Sequence, residues 1–568
     1  MRLQEETGTV FHSWNEKRLK IALVYPNTYH QGMSNLGFQT VYHLLNQSAD
    51  CLCERFFLPD KDDLKRSDCP LLSIESGHTL TDFDLVALSI SFENDYLNLP
   101  IIFNLAGIPF LAADRDQSWP LILFGGVCAF INPEPLSDIV DVVAIGEAEP
   151  ILPELLDLLV QKNQSREDCL QKMAQLPGIY VPRFYTPVYA QTGEVTQFII
   201  EKGAPEKVAR QFLHDLDRSP SRSFIQTAAT EFGNMALTEV SRGCSRGCRF
   251  CAAGFVYLPP RERSLENLVE QVEVGLCQRD RIGLVAAAVS DHSAIQELQT
   301  EILEKKGQIS MSSLRLDALT TEEVEIIYRA GHKSVAIAPE AGSQRLRDYI
   351  NKGISEEQIL TSVKILADGG IKNLKLYFII GFPDEEQSDI DAIIALTEKI
   401  SLLWREAGRK RGQLGQLTLS VNPFIPKPFT PFQWVGMETT NSLKKKIRVL
   451  QAAISHIPNT RINNESIRNA TLQTFLSRAD RRIGSLLPEL AEGGNIKQLC
   501  KKSGLSLDFY VTRQRQADEI FPWDVIDQGV KKSYLWHEYQ QAQQQKSTSP
   551  CAPGCRRCGV CGELIGSC

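Results

Sequence analysis

Three cysteines within eight residues, Cys244, Cys248 and Cys251, define the chemistry this chain could perform. They stand in the stretch Glu239-Val-Ser-Arg-Gly-Cys244-Ser-Arg-Gly-Cys248-Arg-Phe250-Cys251, a C-x3-C-x2-C spacing with no His or fourth Cys close by. Three thiolates suit a cubane iron–sulfur cluster with one iron left open, whereas a closed structural zinc site wants four ligands. An open iron could bind a second molecule, and the cluster would then be a reagent. The competing readings are a zinc knuckle short of one ligand, or buried thiols that meet by chance. The apolar, strand-like run Met235-Ala-Leu-Thr-Glu-Val240 precedes the loop, so the thiols would sit at the end of a strand.

This arrangement resembles the radical S-adenosylmethionine (SAM) superfamily. The resemblance implies a [4Fe–4S] cluster on Cys244, Cys248 and Cys251, with SAM chelated at the open iron. It also implies a 5′-deoxyadenosyl radical that removes hydrogen from an unreactive carbon. Phe250 matches the aromatic position whose backbone faces the adenine. Further along, Ser290-Asp291 stands where the family contacts the SAM amino group. Ser313-Leu-Arg315 offers a fork of donors for the carboxylate. Pro339-Glu340-Ala-Gly342-Ser343 is similar to the segment near the ribose. Phe378-Ile-Ile-Gly381-Phe-Pro383 is similar to the G-x-I-x-G-x-P strand beside the adenine, and Asn422 opens the final loop.

The elements that must carry these residues are legible as alternating apolar runs and helical patterns. Residues 236–435 hold six strand-like segments joined by helices: 235–240, 283–290, 309–315, 333–338, 374–380 and 416–421. Six units are too few for an eight-fold barrel. They suit the partial (β/α)6 barrel that the resemblance implies, with its cluster at the C-terminal strand ends. Residues 19–165 show the same alternation, which predicts a doubly wound parallel sheet, flavodoxin-like in type. There Gly125-Gly126, Asn132-Pro-Glu-Pro135, Asp141 and Gly146-Glu-Ala-Glu149 resemble the cobalamin-binding-like domain found ahead of many radical SAM modules. The first loop, Pro26 to Gly32, does not reproduce the ligating Asp-x-His-x-x-Gly motif, and His30 reads as a loop histidine. The resemblance admits cobalamin; no residue here supports it.

Residues 1–18 form an extension, and 166–235 a connector with a β-hairpin around Thr192-Gly193-Glu194. Residues 436–545 read as a helical C-terminal domain, and 546–568 as a Cys-rich tail. The whole chain resembles a family of fused cobalamin-binding-like radical SAM proteins of unknown substrate. The segments Leu476-Ser-Arg-Ala-Asp480-Arg-Arg and Pro522-Trp-Asp524 belong to that likeness. The run Phe424 to Trp434 is similar to the end of the methylthiotransferase radical SAM core. Cys51, Cys53 and Cys69 do not reproduce the extra cluster motif of those enzymes.

The tail carries Cys551, Cys555, Cys558 and Cys561 within eleven residues, and Cys568 ends the chain. No core is available to bury them, so they want a soft metal. The spacing C-x3-C-x2-C-x2-C resembles a ferredoxin-like cluster motif in reversed order. A second iron–sulfur cluster, zinc and a redox thiol tail all stay open.

Composition bounds the rest. With 568 residues, 43% hydrophobic and 23% charged, the chain predicts a globular protein of several domains. No apolar run approaches a membrane span, no leader-like segment opens the sequence, and clustered thiols suit a reducing compartment, so the cytoplasm is expected. Net charge is −8, yet residues 436–568 carry +7 and leave −15 on the remainder. That asymmetry hints at RNA or another anionic partner, beside the plainer reading of a solvated face.

The reading is thus a radical SAM enzyme acting on a C–H bond of an unknown, tRNA or protein, substrate, served by a flavodoxin- or ferredoxin-type electron donor. The alternatives are a cobalamin-dependent radical SAM methyltransferase and a non-catalytic, metal-stabilised RNA-binding or assembly protein. No side chain can be named as catalytic acid, base or radical relay.

Overall fold

A computed structural model describes the chain except for residues 1, 16–17, 66–69, 162–163, 312–315, 318, 330, 332, 553 and 562–568. Cys69, Ser313, Arg315 and Cys568 lie outside the described residues. The chain divides into two compact units. Unit 1 comprises Met1–Thr238, Phe475–Leu507 and Asp518–Gly529; unit 2 comprises Glu239–Thr474, Asp508–Ala517 and Val530–Cys568.

Unit 1 is built on β1 (Leu19–Tyr25), β2 (Cys51–Phe57), β3 (Leu85–Ser89), β4 (Leu121–Gly125), β5 (Val142–Ala144) and β6 (Ile179–Tyr180). Their order is β2-β1-β3-β4-β5-β6, with the first five parallel and β6 antiparallel. This is the flavodoxin-like order that the alternation predicts. β1 is a near-continuous apolar run because helices cover both faces, and six of its seven residues are buried. Cys51 and Cys53 are buried in β2, ordinary core thiols. β7 (Tyr185–Tyr189) and β8 (Val195–Ile200) make the expected hairpin. β9 (Val208–Ala209) pairs with Ile526–Asp527.

The expected helical domain at 436–545 does not form a body of its own, and the reason is visible in its polar residues. The buried Glu134 carboxylate receives Arg481 through two bonds, 3.0 and 2.8 Å, and the Tyr180 hydroxyl at 2.6 Å. The Asn132 amide donates to the carbonyls of Ser477 and Ala479 at 3.0 and 2.8 Å. Asn132-Pro-Glu-Pro135, one of the segments that resemble the cobalamin-binding-like domain, therefore anchors residues 475–507. A desolvated bidentate pair of this kind is expensive to break.

β10 (Ala236–Glu239) straddles the unit boundary, and unit 2 continues the alternation through β11 (Ser241–Arg242), β12 (Arg261–Glu262), β13 (Arg281–Val285), β14 (Gln308–Met311), β15 (Ser334–Glu340), β16 (Asn373–Ile380), β17 (Gln416–Pro423) and β18 (Thr460–Asn464). The sheets run β10-β13-β14 and β15-β16-β17-β18, the latter parallel throughout. All six expected strands are present. β13 stops at Val285, so Ser290-Asp291 lies on a short turn, Val289–Asp291, beyond the strand end. β18, inside the stretch expected to be helical, extends the sheet by pairing with β17 from Leu417↔Thr460 to Val421↔Asn464. Its sequence, Thr-Arg-Ile-Asn-Asn, lacks apolar alternation because it is a mostly exposed edge.

Candidate metal centre and cofactor site

The cysteine loop is closed at its base by a two-residue ladder, Ser241↔Glu262 and Arg242↔Arg261, between β11 and β12. Glu239 sits beneath it and pairs with Arg242 at 2.8 Å and Arg263 at 3.0 Å. Burial pushes that carboxyl up, but the two guanidiniums outweigh it and hold it below the ordinary carboxylate range. Gly243 has φ +91°, and a Cβ there would meet the Tyr257 carbonyl oxygen at 2.6 Å. Only glycine permits this entry to the loop.

Cys244, Cys248 and Cys251 are free thiols of intermediate exposure. Burial raises all three, Cys248 to about 12, so metal binding there must displace protons. Two cations oppose that trend. The Lys352 ammonium acts on Cys248 and Cys251 and pairs with Glu340 at 3.1 Å. Arg246, inside the loop, grips Asp291 through two 2.7 Å bonds and reaches Asp317 at 3.3 Å. Among the described residues no three His, Cys, Asp or Glu side chains converge on a single-ion site. Thiolates sharing a cubane each bind a different iron and need not do so. Three partly exposed thiols on a glycine-hinged loop, with neighbouring cations to favour thiolate, form a donor set that fits the cluster.

The expected cofactor residues that are described lie in unit 2, and several are tied to this loop. Phe250 packs against an aromatic group made of Phe382, Phe424 and Phe432, with its ring centroid 5.8 Å from that of Phe382. Phe382 follows Gly381 at the end of β16, and Phe424 follows Asn422-Pro423 at the end of β17. One hydrophobic cluster thereby ties the loop to two strand ends. Gly381 has φ +84°, and a Cβ would crowd Leu443 at 2.8 Å and Glu438 Oε2 at 2.9 Å. Its N–H donates to Glu385 at 2.7 Å. Glu340, the last residue of β15, holds φ +64°, an uncommon conformation for a non-glycine residue. Asp291 reaches the loop through Arg246, with Ser290 beside it. Sequence reasoning missed Lys352 and Arg246, which lie in polar stretches with no spacing signal. It missed Asn351 too: φ is +53°, and its amide donates to the Gly247 carbonyl at 3.1 Å.

The tail also belongs to this neighbourhood. Cys551, Cys555 and Cys558 are free thiols, while Cys561 is disulfide-bonded. Burial raises Cys551 to about 11. Cys555 is lowered: burial opposes this, but the backbone N–H and guanidinium of Arg557 outweigh it.

Comparison with known proteins agrees with this geometry. The family model of radical SAM proteins, N-terminal, matches residues 37–182, and that of the radical SAM superfamily matches residues 238–397. An uncharacterised protein of Methanocaldococcus jannaschii is 28% identical over 87% of this chain and 96% of its own. The ribosomal protein uS12 methylthiotransferase RimO of Thermotoga maritima is 24% identical over 56% of this chain and 70% of its own. A cobalamin-dependent S-adenosylmethionine radical enzyme of known structure, OxsB, aligns over 93% of this chain and 79% of its own, at 14% identity and TM-score 0.44. The chain belongs to the radical SAM superfamily and is an enzyme of that class. Membership implies a [4Fe–4S] cluster and SAM as its cofactors. No described helix is long and apolar enough to cross a membrane.

Proposed function

We propose that Cys244, Cys248 and Cys251 hold the cluster and that Phe250, Ser290, Asp291, Glu340, Gly381 and Asn422 surround SAM, with Ser313 and Arg315 in the same expectation. Bound there, the cluster would supply one-electron reduction of the SAM sulfonium and so the means of taking hydrogen from a substrate carbon. The protein's own contribution is placement and charge. Lys352 and Arg246 favour thiolate in the loop, and the Phe250–Phe382–Phe424 packing holds loop and strand ends in register. That packing is the observation that carries the reading, because it gathers residues far apart in sequence about the thiols. The test is anaerobic reconstitution with iron and sulfide, then reduction with SAM present. Formation of 5′-deoxyadenosine is expected; intact SAM after full cluster reduction would overturn the assignment.

The substrate we infer is a macromolecule, RNA or protein, met in the cytoplasm. Support comes from the +7 charge on residues 436–568 and from a relative that, by its name, modifies ribosomal protein uS12. The electron donor is a flavodoxin- or ferredoxin-type protein. A second reading, cobalamin-dependent methyl transfer, is favoured by the flavodoxin-like strand order of unit 1. A corrinoid absorption spectrum in protein made with cobalamin present would support it, and its absence would remove it. The tail cysteines extend the proposal to a second metal group.

A further inference from the structure

We propose that Cys551, Cys555, Cys558 and Cys561 hold a second iron–sulfur cluster docked on the Cys244 loop, and that electrons enter the enzyme through it. The inference rests on the radical SAM reading above and assigns the tail a task within it.

The segment before the tail, a free tether by composition, is bonded to the loop. Arg249 is fully buried and donates to the Lys546 carbonyl at 2.6 Å, to Thr548 Oγ1 at 3.3 Å and to Glu538 at 3.2 Å. It also holds the Tyr349 carbonyl at 2.8 Å. Asn351 exchanges two hydrogen bonds with the Thr548 backbone, 3.2 and 2.8 Å, while binding Gly247. The Cys551 N–H donates directly to the Ser245 carbonyl at 2.7 Å, joining the first tail cysteine to the residue after Cys244. The far side is fixed too: the Lys531 N–H donates to the Cys558 carbonyl at 2.9 Å. A segment held at this many points has lost the freedom of a linker.

The result is a cavity lined by Cys244, Gly247, Cys551, Cys555, Cys558 and Arg557. None of Ser290, Asp291, Glu340, Gly381 or Asn422 lines it. A group held there would stand beside the Cys244 thiol, a position suited to electron entry. Arg557 Nε donates to Cys555 Sγ at 3.2 Å while its Nη2 is fixed on the Ser549 carbonyl at 2.7 Å. Hydrogen bonds to ligand sulfur are one of the levers by which proteins set cluster potential. A single zinc ion would need three or more of these side chains to converge on it, which no described set does, and it could not pass an electron to the neighbouring loop.

The electron balance is simple. An external one-electron donor protein reduces the tail cluster, which passes that electron to the Cys244–Cys248–Cys251 cluster and returns to its oxidised state. No bond changes and no proton moves. Cys561 joins as a thiolate after its disulfide is opened by a dithiol, which supplies two electrons and two protons.

The test uses the full chain, reconstituted anaerobically with iron, sulfide and dithiothreitol, in three forms: wild type, a tail variant (Cys551/Cys555/Cys558→Ser) and a loop variant (Cys244/Cys248/Cys251→Ala). Wild type should hold about eight iron atoms per chain and each variant about four. The loop variant should keep a paramagnetic signal on reduction. The tail variant should still form 5′-deoxyadenosine with dithionite, which shows that it is folded, yet be reduced more slowly by a flavodoxin. Zinc in place of iron in the loop variant, an unchanged iron count in the tail variant, or equal flavodoxin reduction rates would each overturn the proposal. Loss of 5′-deoxyadenosine from wild type under dithionite would instead strike the underlying radical SAM assignment.

Discussion

Charge at single side chains decides much of the behaviour of the site. Lys352 pairs with Glu340 at 3.1 Å and is the cation that acts on Cys248 and Cys251. Lys352→Met leaves Glu340 partly buried and unpaired, an expected loss of about 1–3 kcal/mol by thermal unfolding. It should also move the cluster's midpoint potential to more negative values in a redox titration, because a nearby positive charge favours the added electron. Lys352→Arg should restore most of both effects; a variant with unchanged potential would show that the lysine is only structural. Glu385 makes a prediction of opposite character. Burial raises its carboxyl to about 7 although Lys446, at 2.6 Å, pulls it down, and one of its oxygens is buried without a partner. A carboxyl whose folded pKa exceeds its unfolded value contributes most when protonated. That contribution is complete below the ordinary carboxyl range and fades as pH rises toward 7. Stability should therefore decline between about pH 4.5 and pH 7, by roughly 3 kcal/mol from this group, and Glu385→Gln should flatten the decline. Parallel pH profiles for the two proteins would contradict the assignment.

Among elements, the loop between β11 and β12 has an entry whose backbone leaves little freedom. Gly243→Ala places a Cβ 2.6 Å from the Tyr257 carbonyl oxygen at φ +91°. The expected cost is about 1–3 kcal/mol, with lower iron per chain after reconstitution. Gly412→Ala, also at positive φ but facing open space, is the control and should load iron normally. Equal iron in both would mean that the loop tolerates a shifted entry. The same element explains what could be read in advance. The thiol spacing, the strand before it and the alternation behind it are local patterns, and they located the loop and six strands. The second set of groups at the site is not local. Arg246, Asn351 and Lys352 owe their places to contacts across dozens of residues, and no periodicity encodes them. β18 was missed because an exposed edge strand has no apolar face to betray it. Ser290 and Asp291 were expected at a strand end and lie on the turn beyond it, since β13 stops at Val285.

At the scale of the whole molecule, the chain returns to each unit after leaving it, so its C-terminal third is shared between them. Helical periodicity in 436–545 could not reveal this, because it reports which face is buried and not against what. Unit 1 depends on the returning segment through the Glu134–Arg481 pair. Arg481→Ala should lower its thermal stability by about 3–5 kcal/mol, the usual cost of stranding a buried carboxylate. Iron loading at Cys244, Cys248 and Cys251, in unit 2, should be unchanged; a parallel loss of iron would show that the units do not fold independently. The central claim concerns the loop itself and is tested most directly by reducing anaerobically reconstituted protein in the presence of SAM and assaying 5′-deoxyadenosine, wild type against Cys248→Ser. Product from the wild type and none from the variant is the predicted result. Product from both, or from neither when the clusters are fully reduced, would contradict it.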